Sequence, residues 1–167
     1  MVEVCNFTGH NSGIWSLAID DAFIYSGSND RTVRKIRKSD MVEVGVFTGH
    51  TNYVYALAID DGFIYSGSND RTVRKIRKSD MVEVCNFTGH NSGIWSLAID
   101  DAFIYSGGSD RTVGKIRKSE MTLINSFTGH TGVINSLTVD SEFIYSGSSD
   151  NTVRKWAKNR LYKILYI

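Results

Sequence analysis

Residues 1–40 read MVEVCNFTGHNSGIWSLAIDDAFIYSGSNDRTVRKIRKSD, and the same forty letters return with small changes from Met41, Met81 and Met121. Phe-Thr-Gly-His marks the beat, ending at His10, His50, His90 and His130. The first and third units differ only at unit positions 28, 29, 34 and 40. A fixed period of this length signals a repeat architecture, and likeness this close means recent duplication or engineering. Each unit holds four short β-type runs, in the first MVEVCNF, GIWSLAID, AFIYSGS and RTVRKIRK, separated by Gly-His-Asn-Ser, Asp-Asp and Asn-Asp turns. β-Branched and aromatic residues fill the runs, Pro is absent, and no apolar spacing of helical period is sustained. The chain is therefore expected to be all-β.

A forty-residue unit cannot bury both faces of a small sheet by itself, so each sheet must stack on the next. Radial stacking of four-stranded antiparallel sheets is a β-propeller. The 167 residues form a single domain of repeats 1–40, 41–80, 81–120 and 121–160, with a C-terminal strand expected at 161–167. Nineteen basic residues against eighteen acidic ones leave a net charge of +1, which excludes a strong whole-molecule field for nucleic acid or membrane. The start carries no basic leader, and no run is long enough to span a bilayer, so a soluble, cytoplasmic protein is expected. Cys5 and Cys85 hold the same place in two repeats, as duplication requires, and are expected to be free thiols. The Asn-Phe-Thr triplets at Asn6 and Asn86 carry no weight without a secretion signal.

Phe-Thr-Gly-His, then a strand such as Ile14 to Ile19, then Tyr-Ser-Gly-Ser-Asn-Asp-Arg-Thr-Val-Arg, resembles the WD40 repeat over the whole chain. The departure is the Trp-Asp pair itself. Ile36-Arg37, Ile76-Arg77 and Ile116-Arg117 replace it, and Trp156 alone remains, followed by Ala157. The resemblance implies that each unit starts with the outer strand of one blade and then supplies three inner strands of the next. Residues 161–167, LYKILYI, align with MVEVCNF as a further outer strand, making four inner sets and five outer strands. Propellers run from four to eight blades, and chains resembling this family usually close with seven or eight, so four blades read as half a ring. Two open blade faces invite association, and a homodimer forming one eight-bladed ring is expected. Either residues 1–7 of a partner or the chain's own residues 161–167 would complete the fourth blade. A closed four-bladed monomer, with sheets turned by about 90° instead of about 45°, is the rival.

His10, Ser26 and Asp30 recur as His50, Ser66 and Asp70, then His90, Ser106 and Asp110, then His130, Ser146 and Asp150. A hydrolase needs an exposed activated serine and an oxyanion site, and one cleft has no use for four copies, so no residue is assigned as catalytic. The resemblance implies instead a buried hydrogen-bond relay of turn aspartate, histidine and strand serine leading to the Trp, which only the Trp156 blade can complete. Trp15, Tyr55, Trp95 and Asn135 hold equivalent places inside the Gly-His turn. Alternation and the family likeness aim them at the mouth of the central channel, either to cradle a ligand group or to plug the channel. Arg31, Arg71, Arg111 and Asn151 follow the turn aspartates and join the same rim.

The basic strand sets Lys35 and Arg37 on the face of Val33, with Arg34 opposite. The Lys35 ammonium is expected to reach water or a carboxylate such as Glu43 or Asp40. Several such strands would also make a polyanion surface. No metal site, phosphate loop or cofactor is expected, since each histidine stands alone. The reading is thus a non-catalytic scaffold for a protein or peptide, self-associating, with nucleic acid not the expected partner and no membrane. The alternatives are a polyanion-binding ring and an amplified or engineered propeller without an evolved partner.

Overall fold

The computed structural model describes residues 2–158. Among these residues, fifteen strands form four antiparallel sheets in chain order. The first blade is β1 (Ile14–Ile19), β2 (Phe23–Ser28), β3 (Val33–Arg37) and β4 (Glu43–Phe47). The second is β5 (Val54–Ile59), β6 (Phe63–Ser68), β7 (Val73–Arg77) and β8 (Glu83–Phe87). The third is β9 (Ile94–Ile99), β10 (Phe103–Gly108), β11 (Val113–Arg117) and β12 (Thr122–Phe127). The fourth blade has three strands among the described residues, β13 (Ile134–Val139), β14 (Phe143–Ser148) and β15 (Val153–Ala157). Among the described residues there is no helix long and apolar enough to cross a membrane.

The offset between repeat and blade is as the resemblance implied. β4 begins the second sequence unit yet pairs with β3 of the first, Val33 opposite Phe47. Residues 2–7, read as the first β run, form no strand, and Val2 and Val4 are exposed. The reason is topological: an outer strand needs the third strand of the preceding blade, and no blade precedes β1 among the described residues. The expected strand 161–167 lies outside the described residues.

The core lies between blades. Tyr25, Val33 and Phe47 on one face of the first blade meet Val54, Ile64, Ile76 and Met81 of the second, and the next junction repeats this with Tyr65, Val73, Phe87, Ile94, Ile104, Ile116 and Met121. A strand glycine sets the close approach. A Cβ on Gly67 would lie 2.7 Å from Ile94 Cγ2, and one on Gly27 would lie 2.8 Å from Val54 Cγ1, so the missing side chain is the hole that the next blade fills.

The four blades form an open arc, with β1 beside β5, β5 beside β9 and β9 beside β13. The end faces are uncovered. Ile14 and Leu17 on β1 are 47% and 64% exposed, whereas Ile94, the counterpart of Ile14, is fully buried. Val153 on β15 is 78% exposed where Val33, Val73 and Val113 are at 0%. The closed four-bladed monomer is therefore not the arrangement seen. Leu57 and Leu97, the counterparts of Leu17, are partly buried against the inner junctions.

Candidate functional site

The Phe-Thr-Gly-His motif works as a packed corner. A Cβ on Gly49 or Gly89 would collide with the ring of Phe47 or Phe87, so glycine lets phenylalanine fold back over the turn. The Phe47 ring then meets the His50 ring edge-on, centroids 5.9 Å apart. His50 Nδ1 lies 2.7 Å from Asp70 Oδ2 and Nε2 lies 2.7 Å from Ser66 Oγ. A carboxylate at Nδ1 fixes the proton there, so Nδ1–H donates to Asp70 and Nε2 accepts from the serine hydroxyl. The other blades repeat this with His10, Asp30 and Ser26, with His90, Asp110 and Ser106, and with His130, Asp150 and Ser146. Trp156 Nε1 donates to Ser146 Oγ at 2.8 Å, extending the relay in the last blade, while Ile36, Ile76 and Ile116 offer no donor there.

Each aspartate also organises its turn. Asp70 accepts from the Thr72 hydroxyl and from the backbone N–H groups of Thr72 and Thr51. Burial alone would push its carboxyl up, but the bonds from His50, Thr72 and Thr51 outweigh it and hold the group well below the carboxylate range. Asp110 falls from 3.8 to about 2, with burial opposed by His90 and Thr112. A depressed folded-state value means that stability is fully present above the unfolded value near 3.8 and is lost as pH falls through the folded value. Guanidinium midpoints measured against pH are therefore expected to drop between about pH 4 and pH 2 because of these carboxylates.

The inner rim is built by β-bulges. In the first blade the pairing runs from Ile14 opposite Ser28 to Ser16 opposite Gly27, leaving Trp15 without a partner in the ladder. Tyr55, Trp95 and Asn135 are skipped in the same way. A bulge frees a side chain from strict alternation and re-aims it, which the sequence does not announce. Trp15 Nε1 donates to Asn29 Oδ1 at 2.6 Å, Trp95 Nε1 to Ser109 Oγ at 2.7 Å, and Asn135 Nδ2 to Ser149 Oγ at 2.8 Å. Trp15, Trp95 and Asn135 are thus tied to the turn between the second and third strands. Exposed Arg31, Arg71, Arg111 and Asn151 sit in that same turn with φ of 66–72°, a left-handed conformation that Asn tolerates better than Arg.

Trp15, Tyr55 and Trp95 form one aromatic row. Trp15 meets Tyr55 edge-on at 5.6 Å and Tyr55 stacks on Trp95 at 4.5 Å. Asn135 continues their positions without an aromatic ring, and Tyr53 adds one at 6.1 Å from Tyr55. Tyr53 and the anchoring Asn29, Ser109 and Ser149 were not singled out by sequence; the repeated Asn or Ser one residue before each turn aspartate was the available signal.

The basic strands are largely engaged within the fold. Arg34 and Arg74 reach Glu43 and Glu83 at 2.5 Å. Lys35 reaches neither expected carboxylate. Its ammonium lies 4.0 Å from the Phe23 ring centroid and donates to the Lys78 carbonyl at 2.8 Å, because its face of β3 is pressed against the next blade. Arg37 takes Asp40 instead. Cys5 and Cys85 are free thiols, and no group of His, Cys, Asp and Glu among the described residues is placed to hold a metal ion.

The chain is similar to several solved structures. The computationally designed Ika4 protein matches at 27% identity with a TM-score of 0.87, over 94% of this chain and 98% of that one. The computationally designed Ika8 protein matches at 28% identity and a TM-score of 0.84, over 90% of this chain and 48% of that one. The WD40 β-propeller domain of Doa1 matches at 26% identity and a TM-score of 0.82, over 92% of this chain and 54% of that one. The chain thus spans about half the length of the last two. No curated protein sequence matches it. The profile of the WD domain, G-beta repeat, matches residues 1–35, 41–75, 81–114 and 121–157, one match in each unit, and the chain belongs to that WD40-repeat family.

Proposed function

We propose that this chain is a non-catalytic interaction scaffold that closes with a second copy into an eight-bladed ring and receives a protein or peptide segment on its aromatic rim. The complementarity of the two uncovered ends supports the ring. Ile14 projects half-exposed from the first blade, in the place of the Ile94 and Ile134 side chains that fill the hollows over Gly67 and Gly107. Gly147 offers the same hollow on the last blade, where a Cβ would meet only Ser136 of its own sheet. Each end therefore presents half of a junction that the chain builds three times internally.

The single observation that carries the binding role is the aromatic row, anchored at one rim and ending in Trp15, 56% exposed. Rigid rings of this kind give large contact area at low entropic cost. Catalysis is poorly served, because Ser26, Ser66, Ser106 and Ser146 are all buried. The polyanion reading is also weaker, since Arg34, Arg74 and Lys35 are already engaged within the fold. A second reading, an engineered or amplified propeller without an evolved partner, draws support from the near-identical units and the likeness to two designed proteins.

Panning a random peptide library on the purified chain tests the rim. Related sequences should be enriched, and their affinity should fall about tenfold or more in Trp15→Ala, as for an aromatic anchor. No enrichment, or peptides that bind W15A equally well, would remove the binding role and favour the second reading.

A further inference from the structure

The three internal junctions share a polar latch built from four residues. Lys78 Nζ lies 3.0 Å from Asp20 Oδ2 across the first junction, Lys118 lies 2.9 Å from Asp60 across the second, and Lys158 lies 2.6 Å from Asp100 across the third. Each aspartate also accepts a phenol from its own blade at 2.8 Å, Tyr25, Tyr65 or Tyr105. The latch lysine stands 5.1–5.2 Å from the centroid of that tyrosine ring, and its backbone carbonyl accepts the ammonium of Lys35, Lys75 or Lys115 reaching from the preceding blade. The contact is sheltered, with the latch lysine side chains only 8–11% exposed. Such a sheltered ammonium, facing a carboxylate 27–30% exposed, suits one partner geometry and penalises others.

At the open ends the latch is split in two. The last blade holds the acceptor half: Tyr145 donates to Asp140 at 2.8 Å as in the inner blades, and the Lys155 ammonium waits 3.6 Å from the Phe143 centroid. The first blade holds the donor half, Lys38, which is exposed and turns back to the Asp20 carbonyl of its own blade at 2.6 Å. Each internal pair is separated by 58 residues. The same separation counted from Asp140 runs past the fourth repeat and lands, by the forty-residue period, on the unit position of Lys38.

The geometry points to Lys38 of each copy binding Asp140 of the other, with Lys155 donating to the carbonyl of that Lys38, so that a fourth latch closes the ring at both of its intermolecular junctions. This rests on the eight-bladed reading above and assigns the residues that select a second copy over other occupants of the exposed faces. It also makes each end complementary to the other end and not to itself, because Lys38 finds its carboxylate only on the last blade, so a head-to-tail meeting is favoured.

Charge exchange tests it by sedimentation of the full chain over a range of concentrations. Lys38→Glu sets two acids together at each junction and Asp140→Lys sets two lysines together; each variant alone should dimerise at least about tenfold more weakly than the wild type. Mixed in equal amounts they should recover dimers, because one junction then pairs the two exchanged charges with each other and the other pairs the native Lys38 with the native Asp140. Asp140 also accepts from the N–H groups of Phe143 and Glu142 in its own turn, so recovery on mixing separates the latch from local damage. A wild type that never dimerises overturns the ring reading and the latch with it. A wild-type dimer that tolerates both single variants, or weakened variants that do not recover on mixing, overturns the latch and leaves the ring.

Discussion

Asp70→Ala is expected to destabilise the chain by about 3–5 kcal/mol, because it removes a buried anion while leaving its partners in place. The aspartate side chain is 5% exposed and receives four donors, from the His50 ring, the Thr72 hydroxyl and two backbone N–H groups. Alanine leaves the buried His50 ring N–H and the half-buried Thr72 donors without an acceptor, and each unsatisfied buried group costs about 1–3 kcal/mol. Asp40→Ala is the contrasting change. Asp40 and its partner Arg37 are both more than 40% exposed, and such a pair is worth at most about 1 kcal/mol. Denaturant midpoints of the two variants at neutral pH should therefore differ widely. Equal effects would mean that the relay contributes nothing beyond surface charge.

Ile94→Ala carries the second large effect, about 2–5 kcal/mol, since it empties the hollow over Gly67 at an inner junction. Ile14→Ala makes the same chemical change at the open end. In a lone chain, with Ile14 already half exposed, it should cost less than about 1 kcal/mol in unfolding. In a closed ring it should weaken association markedly while leaving the blade itself folded. Calorimetric melting at low and high protein concentration separates these effects, because only the ring makes the I14A penalty depend on concentration.

Much of the architecture was legible because the repeat is a local code. Gly49 beside Phe47 and His50, and Asp70 before Arg71 and Thr72, act within one turn or between neighbouring strands, so residue order reveals them. The relay and the blade offset came instead from the resemblance to the WD40 repeat. The losses came where partners lie on another blade. The sequence points Lys35 to water or a carboxylate such as Glu43 or Asp40, but its acceptor is a backbone carbonyl 43 residues away, and a carbonyl leaves no mark in a sequence. The Asp20–Lys78 latch was missed for a similar reason, although an aspartate closing the first strand and a lysine ending the third recur in every unit. Residues 2–7 have the composition of a strand and form none, since β structure requires a neighbour that composition does not supply. Trp15, Tyr55 and Trp95 share one position in the repeat, but their orientation depends on bulges that alternation alone misplaces.

The central claim is that the two ends of the arc are halves of one junction. Light scattering on a sizing column, over a wide range of loading concentrations, tests it most directly. A species of twice 18.7 kDa that persists on dilution is the result predicted for the eight-bladed pair. A mass of 18.7 kDa at every concentration would contradict it, leaving the Ile14 and Val153 faces open in solution.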